Sequence, residues 1–205
     1  MKLVIGDRNY SSWSLRPWLA MKQIGLPFEE VNISLYSSGS KVEILKHSPS
    51  GKVPCLIDGE NLIWDSLAIC EYLAEKSPTL WPAHRKARAE ARSISAEMHS
   101  GFRALRRSMP MDIQASKPFE GRSAEVQADI DRIIEIWEGC RSRYSGAGPF
   151  LFGAFTIADA MFAPVVWRFV TYAVDLPPAS RAWIEAMCAL PAMQEWRAGA
   201  LAEKN

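Results

Sequence analysis

Three serines surround a tryptophan in the segment NYSSWSLRPW, residues 9–18, just after the first apolar run of the chain. A helical pattern follows, so Ser11, Ser12 and Ser14 compete for the capping position, because serine is a favoured N-cap residue. A hydroxyl at a helix N-terminus can also donate a hydrogen bond to a bound anion, supported by the helix dipole. Arg16, one turn further on, either adds to this field or forms a surface salt bridge. The segment is therefore an ordinary helix start or a site that stabilises an anion.

A second polar pair, Asp65-Ser66, precedes the amphipathic pattern LAICEYLAEK. Aspartate and serine are favoured capping residues, so the pair is either a plain N-cap or a binding site. In a binding site, the free N–H groups and the helix dipole would bind a carboxylate, and Asp65 would receive an ammonium group.

Pro54 stands at the entry of the apolar run VPCLIDG, where a proline normally removes a hydrogen bond of the sheet. Two arrangements tolerate it. A trans proline can lie on an edge strand, whereas a cis Val53-Pro54 bond turns the backbone of Val53 outward and leaves its N–H and C=O free. A free pair of this kind can bind the main chain of a peptide ligand, as an added strand would.

These segments lie in an N-terminal part that alternates strands and helices. Apolar runs predict four strands, at 2–6, 28–35, 53–59 and 60–64. Amphipathic patterns predict two helices, at 14–25 and from 65 to just before Pro78. This order predicts a small mixed sheet with helices packed on it, as expected of a thioredoxin-like domain over residues 1–78.

The rest of the chain is predicted to be helical. The segment SPTLWPAHRK is rich in proline and polar residues and predicts a linker at 79–85, followed by an all-helical domain at 86–205. Helical patterns lie at 84–109, 124–144, 156–174, 179–190 and 191–203. The third pattern is mostly apolar, so we expect it to be the central buried helix. The fold class is thus α/β followed by all-α, a thioredoxin-like domain and a helical bundle.

Composition narrows the class of protein. The chain has 205 residues, of which 48% are hydrophobic and 23% charged, with a net charge of +1. The balanced charge argues against a nucleic-acid or anionic-membrane surface. No apolar run is long enough to span a membrane, and the opening MKLVIG is too short for a signal-peptide core. The scattered cysteines and the spacing of the histidines predict free thiols in a reducing cytoplasm and no metal site.

Two distant motifs resemble one family. SPSGKVPCLIDG followed by LIWDSLAICEYLAE closely resembles the glutathione-binding half of the cytosolic glutathione S-transferases, which have a cis proline before a strand and an acidic residue or Gln plus Ser at a helix start. GAFTIADAMFAPV is similar to the family's capping box, with Thr156 as the cap, Asp159 at N3 and Phe155–Ala160 as a small staple. The resemblance covers essentially the whole chain.

The resemblance implies roles for the residues of the first domain. Val53, beside Pro54, would bind the cysteinyl backbone of glutathione, and Ser66 with Asp65 would hold the γ-glutamyl end. Lys52, with His47 as a weaker candidate, would lie near the glycyl carboxylate. Asp65 is shorter than the family's usual Glu or Gln and must reach further.

The segment NYSSWSLRPWLAM is similar to the family's catalytic turn, most closely to its serine-type zeta class, with a second likeness to the bacterial beta class. Aligned on the serine pair, Ser11 takes the catalytic position, and its neighbour Ser12 is the alternative catalytic serine. In both alignments Trp13, beside the bound glutathione, replaces a cysteine. The resemblance therefore implies a serine-type site or an inactive one.

The activity that the resemblance implies is a glutathione transferase, in which Ser11 activates the glutathione thiol for attack on a hydrophobic electrophile. It further implies a cytoplasmic homodimer that acts in detoxification, with glutathione as co-substrate and no metal. The alternatives are an isomerase of maleyl-type acids, a peroxidase or reductase, and a non-catalytic binding or assembly module. A predicted helical stripe from Met98 to Met109 contributes either to the second-substrate pocket between the domains or to the bundle core. The predicted pocket residues are Phe102, Arg106, Met109 and Trp167.

Overall fold

The N-terminal part of the protein is a four-stranded mixed sheet with helices on both faces, in a computed structural model that describes residues 1–118 and 121–203. Its elements are β1 (Lys2–Gly6), α1 (Ser12–Gln23), β2 (Glu29–Ile33), α2 (Ser40–Leu45), β3 (Cys55–Asp58), β4 (Asn61–Trp64) and α3 (Ser66–Lys76). The strand order is β2-β1-β3-β4, with β1 parallel to β2 and antiparallel to β3, and β4 antiparallel to β3. The predicted thioredoxin-like fold is confirmed.

Alternation along β1 explains why helices cover both faces of the sheet, because successive side chains of a strand point to opposite sides. Leu3 and Ile5 are fully buried in the core that includes α1 and α3. Val4, between them, packs on the other face in a smaller cluster with Ile44 of α2. The sheet is thereby fixed between α1 and α3 on one side and α2 on the other.

The C-terminal part is helical, as predicted. It contains α4 (Arg85–Ser100), α5 (Arg103–Ser108), α6 (Ala124–Tyr144), α7 (Ile157–Thr171), α8 (Pro178–Ala189) and α9 (Pro191–Ala202). Every residue of α7 except Val170 is buried, which confirms the prediction of a central buried helix. Helix α1 packs directly against α7, so the two parts of the protein share one hydrophobic core.

One helix prediction is wrong at its centre. The pattern predicted as a single helix over 84–109 is split between α4 and α5. Between them, Gly101 has an extended backbone and Phe102 takes a φ of 59°, in the left-handed region. A Cβ atom at Gly101 would lie 2.8 Å from the carbonyl oxygen of Glu97, so the chain can turn here only with glycine. The stripe predicted from Met98 to Met109 therefore divides between two helices of different direction.

The predicted linker at 79–85 is anchored near its start and exposed toward its end. A short 3₁₀ turn occupies Pro78–Leu80. Leu80 and Trp81 are buried in the shared core, which joins the two parts of the chain by apolar contact.

Membrane-spanning helices and metal-binding clusters were both sought among the described residues. None of their helices is both long and apolar enough to cross a membrane. Nor do the residues at 1–118 and 121–203 include a group of three or more His, Cys, Asp or Glu side chains that could hold a metal ion. The four cysteines are free thiols, and Cys55, Cys70 and Cys140 are buried.

The start of α7 carries the predicted capping box. Thr156 donates to Oδ2 of Asp159 from its backbone N–H at 2.8 Å and from its hydroxyl at 3.0 Å. The other carboxylate oxygen accepts from the N–H of Leu151 at 3.0 Å and from Nε1 of Trp183 at 2.9 Å. Burial raises the pKa of Asp159, while these hydrogen bonds oppose the rise. One buried carboxylate thus ties α7 to α8 and to the preceding loop.

We expect Asp159→Ala to lower the free energy of unfolding by about 2–4 kcal/mol, because it leaves buried donors without an acceptor. Urea unfolding followed by circular dichroism measures the loss. Asp131→Ala, on the exposed face of α6, is the matched control and should change stability by no more than about 0.5 kcal/mol. A loss of similar size in the two variants would contradict the assignment.

Candidate functional site

A cavity of about 560 Å³ lies between the start of α3 and the loop that leads into β3. It brings together all six residues predicted to bind glutathione, and it adds Ser50 and Trp64. The lining residues are Trp13, Ser50, Lys52, Val53, Pro54, Trp64, Asp65 and Ser66. Trp64 could have been anticipated because it ends the strand immediately before Asp65-Ser66.

A second cavity of about 310 Å³ adjoins the first at the serine turn. It shares three residues with the first cavity, and Ser11 and Ser12 stand in its wall. The shared residues are Trp13, Lys52 and Val53. Segments about 40 residues apart in the chain therefore meet at the second cavity, which borders the first through these shared residues.

The Val53-Pro54 peptide bond is cis, one of the two arrangements that the sequence left open. Pro54 is buried at the entry to β3. Among the described residues, neither the N–H nor the C=O of Val53 takes part in a hydrogen bond. Both main-chain groups of Val53 are therefore free to pair with a bound peptide.

Asp65 caps α3 with one carboxylate oxygen and faces the other domain with the second. Its Oδ1 accepts from the N–H groups of Leu67 at 2.9 Å and Ala68 at 3.3 Å. Its Oδ2 lies 3.1 Å from Nε2 of His99 in α4. Ser66 is almost completely buried, and no described residue accepts a hydrogen bond from its N–H or its hydroxyl. The capping role and two free donors thus coexist at this helix start.

His99 is a site neighbour that the sequence analysis missed. Its ring packs edge-on against Trp13, with centroids 5.3 Å apart. Burial lowers the pKa of His99; Asp65 opposes this effect, and the cations Arg16 and Arg106 lower the pKa further. No local pattern could have revealed it, because His99 lies in the other domain.

Positive charge surrounds Trp13. The guanidinium of Arg16 lies 4.3 Å from the centre of the Trp13 ring, and that of Arg106 lies 4.9 Å from it. Arg16 is fully buried, which excludes the surface salt bridge considered for it. Burial, with a further contribution from Arg106, lowers the pKa of Arg16 to about 9. Trp13 is therefore in contact with two cations.

The serine turn is built around a buried hydroxyl pair. Ser11 precedes α1 and makes no side-chain capping bond. Its hydroxyl instead donates to Oγ of Ser14 at 2.7 Å, and the same oxygen accepts from the N–H of Gly6 at 3.2 Å. The hydroxyl of Ser12, the first residue of α1, has no hydrogen bond to a described residue and borders the second cavity.

The C-terminal domain holds this turn in place. The carboxylate of Glu203 accepts from the N–H of Arg8 at 2.6 Å and from that of Asn9 at 3.0 Å. The side chain of Asn9 donates to Asp112 at 3.0 Å and accepts from the N–H of Gln114 at 2.9 Å. The backbone immediately before Ser11 is thus fixed from outside its own domain.

The residues predicted to bind the second substrate are not brought together in one cavity, unlike those predicted to bind glutathione. Phe102, Met109 and Trp167 are buried, and none of them lines either cavity. Arg106 reaches the site through its contact with Trp13. His47, the weaker candidate for the glycyl carboxylate, lies outside both linings, with Nε2 3.9 Å from Glu43.

Comparison with known proteins identifies the family. Residues 10–76 match the model of the glutathione S-transferase N-terminal domain, and residues 120–199 match that of the C-terminal domain. A probable maleylacetoacetate isomerase of Caenorhabditis elegans is 30% identical over 176 residues, which cover 83% of this chain and 79% of that protein. The chain belongs to the glutathione S-transferase family.

Solved structures agree with this assignment. A maleyl pyruvate isomerase, described as a bacterial glutathione S-transferase in the zeta class, superposes with a TM-score of 0.76 at 25% identity over the whole of both chains. A glutathione transferase homologue from Burkholderia with bound glutathione gives a TM-score of 0.71 at 25% identity, covering 98% of each chain.

We expect His99 to make folding sensitive to pH. Because its pKa is lowered in the folded protein, the unfolded chain binds its proton more readily. The stabilising contribution is thus complete above the unfolded pKa of about 6.5 and is lost as the pH falls below it. Urea unfolding at pH 7 and pH 5 should show a smaller loss of stability for His99→Gln than for the wild type.

His84→Gln, at an exposed histidine outside the site, is the control for this experiment. It should lose as much stability as the wild type between the two pH values. An unchanged pH response in His99→Gln would show that His99 is not held in its neutral form.

Proposed function

We propose that this protein is a glutathione transferase in which a serine hydroxyl activates the thiol of glutathione for attack on a hydrophobic electrophile. One observation carries the proposal. A cavity with free donors at Ser66 and free main-chain groups at Val53 shares Trp13, Lys52 and Val53 with the cavity that Ser11 and Ser12 line. This adjacency is needed if the site is to hold the main chain of a bound peptide and to present the peptide's thiol to Ser11 and Ser12.

The residues of the first cavity suit the three parts of the tripeptide. The N–H and hydroxyl of Ser66, at the N-terminus of α3, would bind the γ-glutamyl carboxylate, and Asp65 would receive the ammonium group. Val53 would pair with the cysteinyl main chain beside Pro54. Lys52, which lines the same cavity, would attract the glycyl carboxylate.

Activation then follows from hydrogen bonding and charge. A free thiol has a pKa of about 8.5, and lowering it by about two units corresponds to roughly 2.7 kcal/mol. A hydrogen bond from the Ser11 hydroxyl to the sulfur, together with the dipole of α1, can supply this. For Ser11 to donate, the hydroxyl protons of the Ser11–Ser14 pair must reorient, so that Ser14 donates to Ser11. The oxygens stay 2.7 Å apart, and the N–H of Gly6 supports the chain.

The thiolate attacks the electrophile, a carbon–sulfur bond forms and the leaving group departs with its electron pair. We place the second substrate on the Trp13 side of the serine turn, bordered by Arg106 and by the neighbouring apolar residues of the helical domain. Of the four predicted pocket residues, Arg106 would contact the substrate directly, while Phe102, Met109 and Trp167, which are buried and line neither cavity, would pack behind it. The remaining parts of the proposal are a domain division at 79–85, a homodimer and a cytoplasmic role in detoxification.

Isomerisation of a maleyl-type acid is the second candidate. The relatives named maleylacetoacetate and maleyl pyruvate isomerases support it, and so does the pair of guanidinium groups at Trp13, which would attract an acidic substrate. The zeta-class signature cysteine is replaced by Trp13, which weighs against it. Assays with an aryl halide and with a maleyl acid separate the two activities.

We expect Ser11→Ala to lower kcat with an aryl halide by about 100-fold, because a donor to the developing anion is lost. The affinity for glutathione should change little. The pKa of the bound thiol, followed by the absorbance of the thiolate, should return toward about 8.5.

Ser12→Ala is the matched control, since it removes the adjacent hydroxyl. It should retain most of the activity. Loss of activity in Ser12→Ala alone would assign the thiol to Ser12, and full activity in both variants would overturn serine activation.

A further inference from the structure

Glu203, just past the end of α9, caps the backbone turn that ends at Ser11. The N–H of Ser11 donates to the carbonyl of Asp7 at 2.7 Å and closes this single helical turn. The first N–H groups of a helical turn have no acceptor within it. Here they belong to Arg8 and Asn9, and among the described residues the carboxylate of Glu203 is their only acceptor. Glu203 therefore does for this turn what an N-cap side chain does for a helix, although it lies 195 residues from Arg8 in the chain.

Further contacts hold Glu203 and the turn against each other. Nε2 of Gln114 donates to the carbonyl oxygen of Glu203 at 2.9 Å, which fixes the chain where α9 ends. The carbonyl of Arg8 accepts from Nε1 of the buried Trp196 at 2.9 Å. The side chain of Arg8 lies against Gly199 in α9, where a Cβ atom would come within 2.3 Å of its Nη1. The carboxylate and the turn are thus each anchored independently of the bonds between them.

The position of the Ser11 hydroxyl depends on this turn. Ser11 precedes α1, and its side chain makes no capping bond to that helix. Its hydroxyl is bonded among the described residues to Ser14, and its backbone N–H is the one that closes the turn. Without an acceptor for Arg8 and Asn9, the turn gains by opening toward water, and Ser11 moves with it. A displacement of about 1 Å at a reacting group can cost about 100-fold in rate.

We propose that Glu203 is a positioning residue that holds the Ser11 hydroxyl within hydrogen-bond distance of the glutathione sulfur. It acts through the backbone of residues 8 and 9, and it lines neither cavity. The inference rests on the proposed function, in which Ser11 activates the thiol. It goes further in making that activation depend on a carboxylate supplied by the helical part of the chain.

The test is a double-mutant cycle between Glu203→Ala and Ser11→Ala. The absorbance of the thiolate as a function of pH gives the pKa of the bound glutathione thiol, and assays with an aryl halide give kcat and KM. We expect Glu203→Ala to raise this pKa by about one unit and to lower kcat about tenfold. The KM for glutathione should change by less than about twofold, because the residues proposed to hold the peptide are unaltered.

The cycle separates positioning from a general loss of structure. In the Ser11→Ala background, Glu203→Ala should leave the thiol pKa unchanged, because the hydroxyl that Glu203 positions is already absent. Equal shifts in the two backgrounds would overturn the inference. Glu195→Ala is the matched control, since it removes another carboxylate of α9, one that pairs with Lys22 at the surface. It should keep the wild-type pKa and kcat, and a shift as large as that of Glu203→Ala would contradict the assignment.

Two further outcomes keep the inference and the proposed function apart. A raised thiol pKa in Ser11→Ala with an unchanged one in Glu203→Ala overturns the inference alone. An unchanged thiol pKa in Ser11→Ala overturns the activation by Ser11 that the proposed function assigns. If circular dichroism shows Glu203→Ala to be unfolded, Glu203→Gln, which keeps one acceptor oxygen, takes its place in the cycle. It should raise the pKa by a smaller amount, and an unchanged pKa in that variant would contradict the positioning role.

Discussion

The carboxylate of Asp65 is the interaction on which the rest of the site depends. One oxygen caps α3 and the other faces His99 across the domain boundary. To reach both, Asp65 adopts a φ of 76°, a left-handed backbone that a residue with a side chain rarely takes. The strain is offset locally by the capping bonds. It turns the chain so that Ser66 opens the helix with its N–H and hydroxyl free.

The electrostatics of the interior complement this arrangement. Arg16 and Arg106 both lie against Trp13, and Arg168, buried in the central helix, has a pKa lowered to about 10 by burial and by Arg106. Burial lowers the pKa of Arg16 and of Arg106, and the carboxylates of Asp65 and Asp129 oppose this lowering only in part. An interior with this excess of positive charge favours ligands with several negative groups. Glutathione and its thiolate are such ligands.

Local sequence signals predicted most of the fold and six of the residues that line the first cavity. The capping box at Thr156 and Asp159 appears as a short motif because its partners lie three residues apart. Asp65-Ser66 was equally visible as a helix start. The break at Gly101-Phe102 could not be predicted, because the amphipathic pattern continues through it and only backbone conformation separates the two helices.

Contacts across the domain boundary could not be predicted in this way. His99 pairs with Asp65, and Glu203 accepts hydrogen bonds from the backbone before the serine turn. Both contacts join residues that are far apart in the chain and share no periodicity. The burial of Arg16 was also hidden, since an arginine on an amphipathic helix normally faces solvent. These contacts depend on how α1, α4 and α9 pack, and that packing is determined by the hydrophobic core as a whole.

A crystal structure with bound glutathione tests the central claim most directly, that the start of α3 holds the γ-glutamyl end and directs the thiol to the serine turn. The account predicts the α-carboxylate within about 3 Å of both the N–H and Oγ of Ser66, and the sulfur beside Ser11. A peptide bound in the reverse direction, with its glycyl carboxylate at Ser66, or a sulfur directed away from both serines, would contradict it.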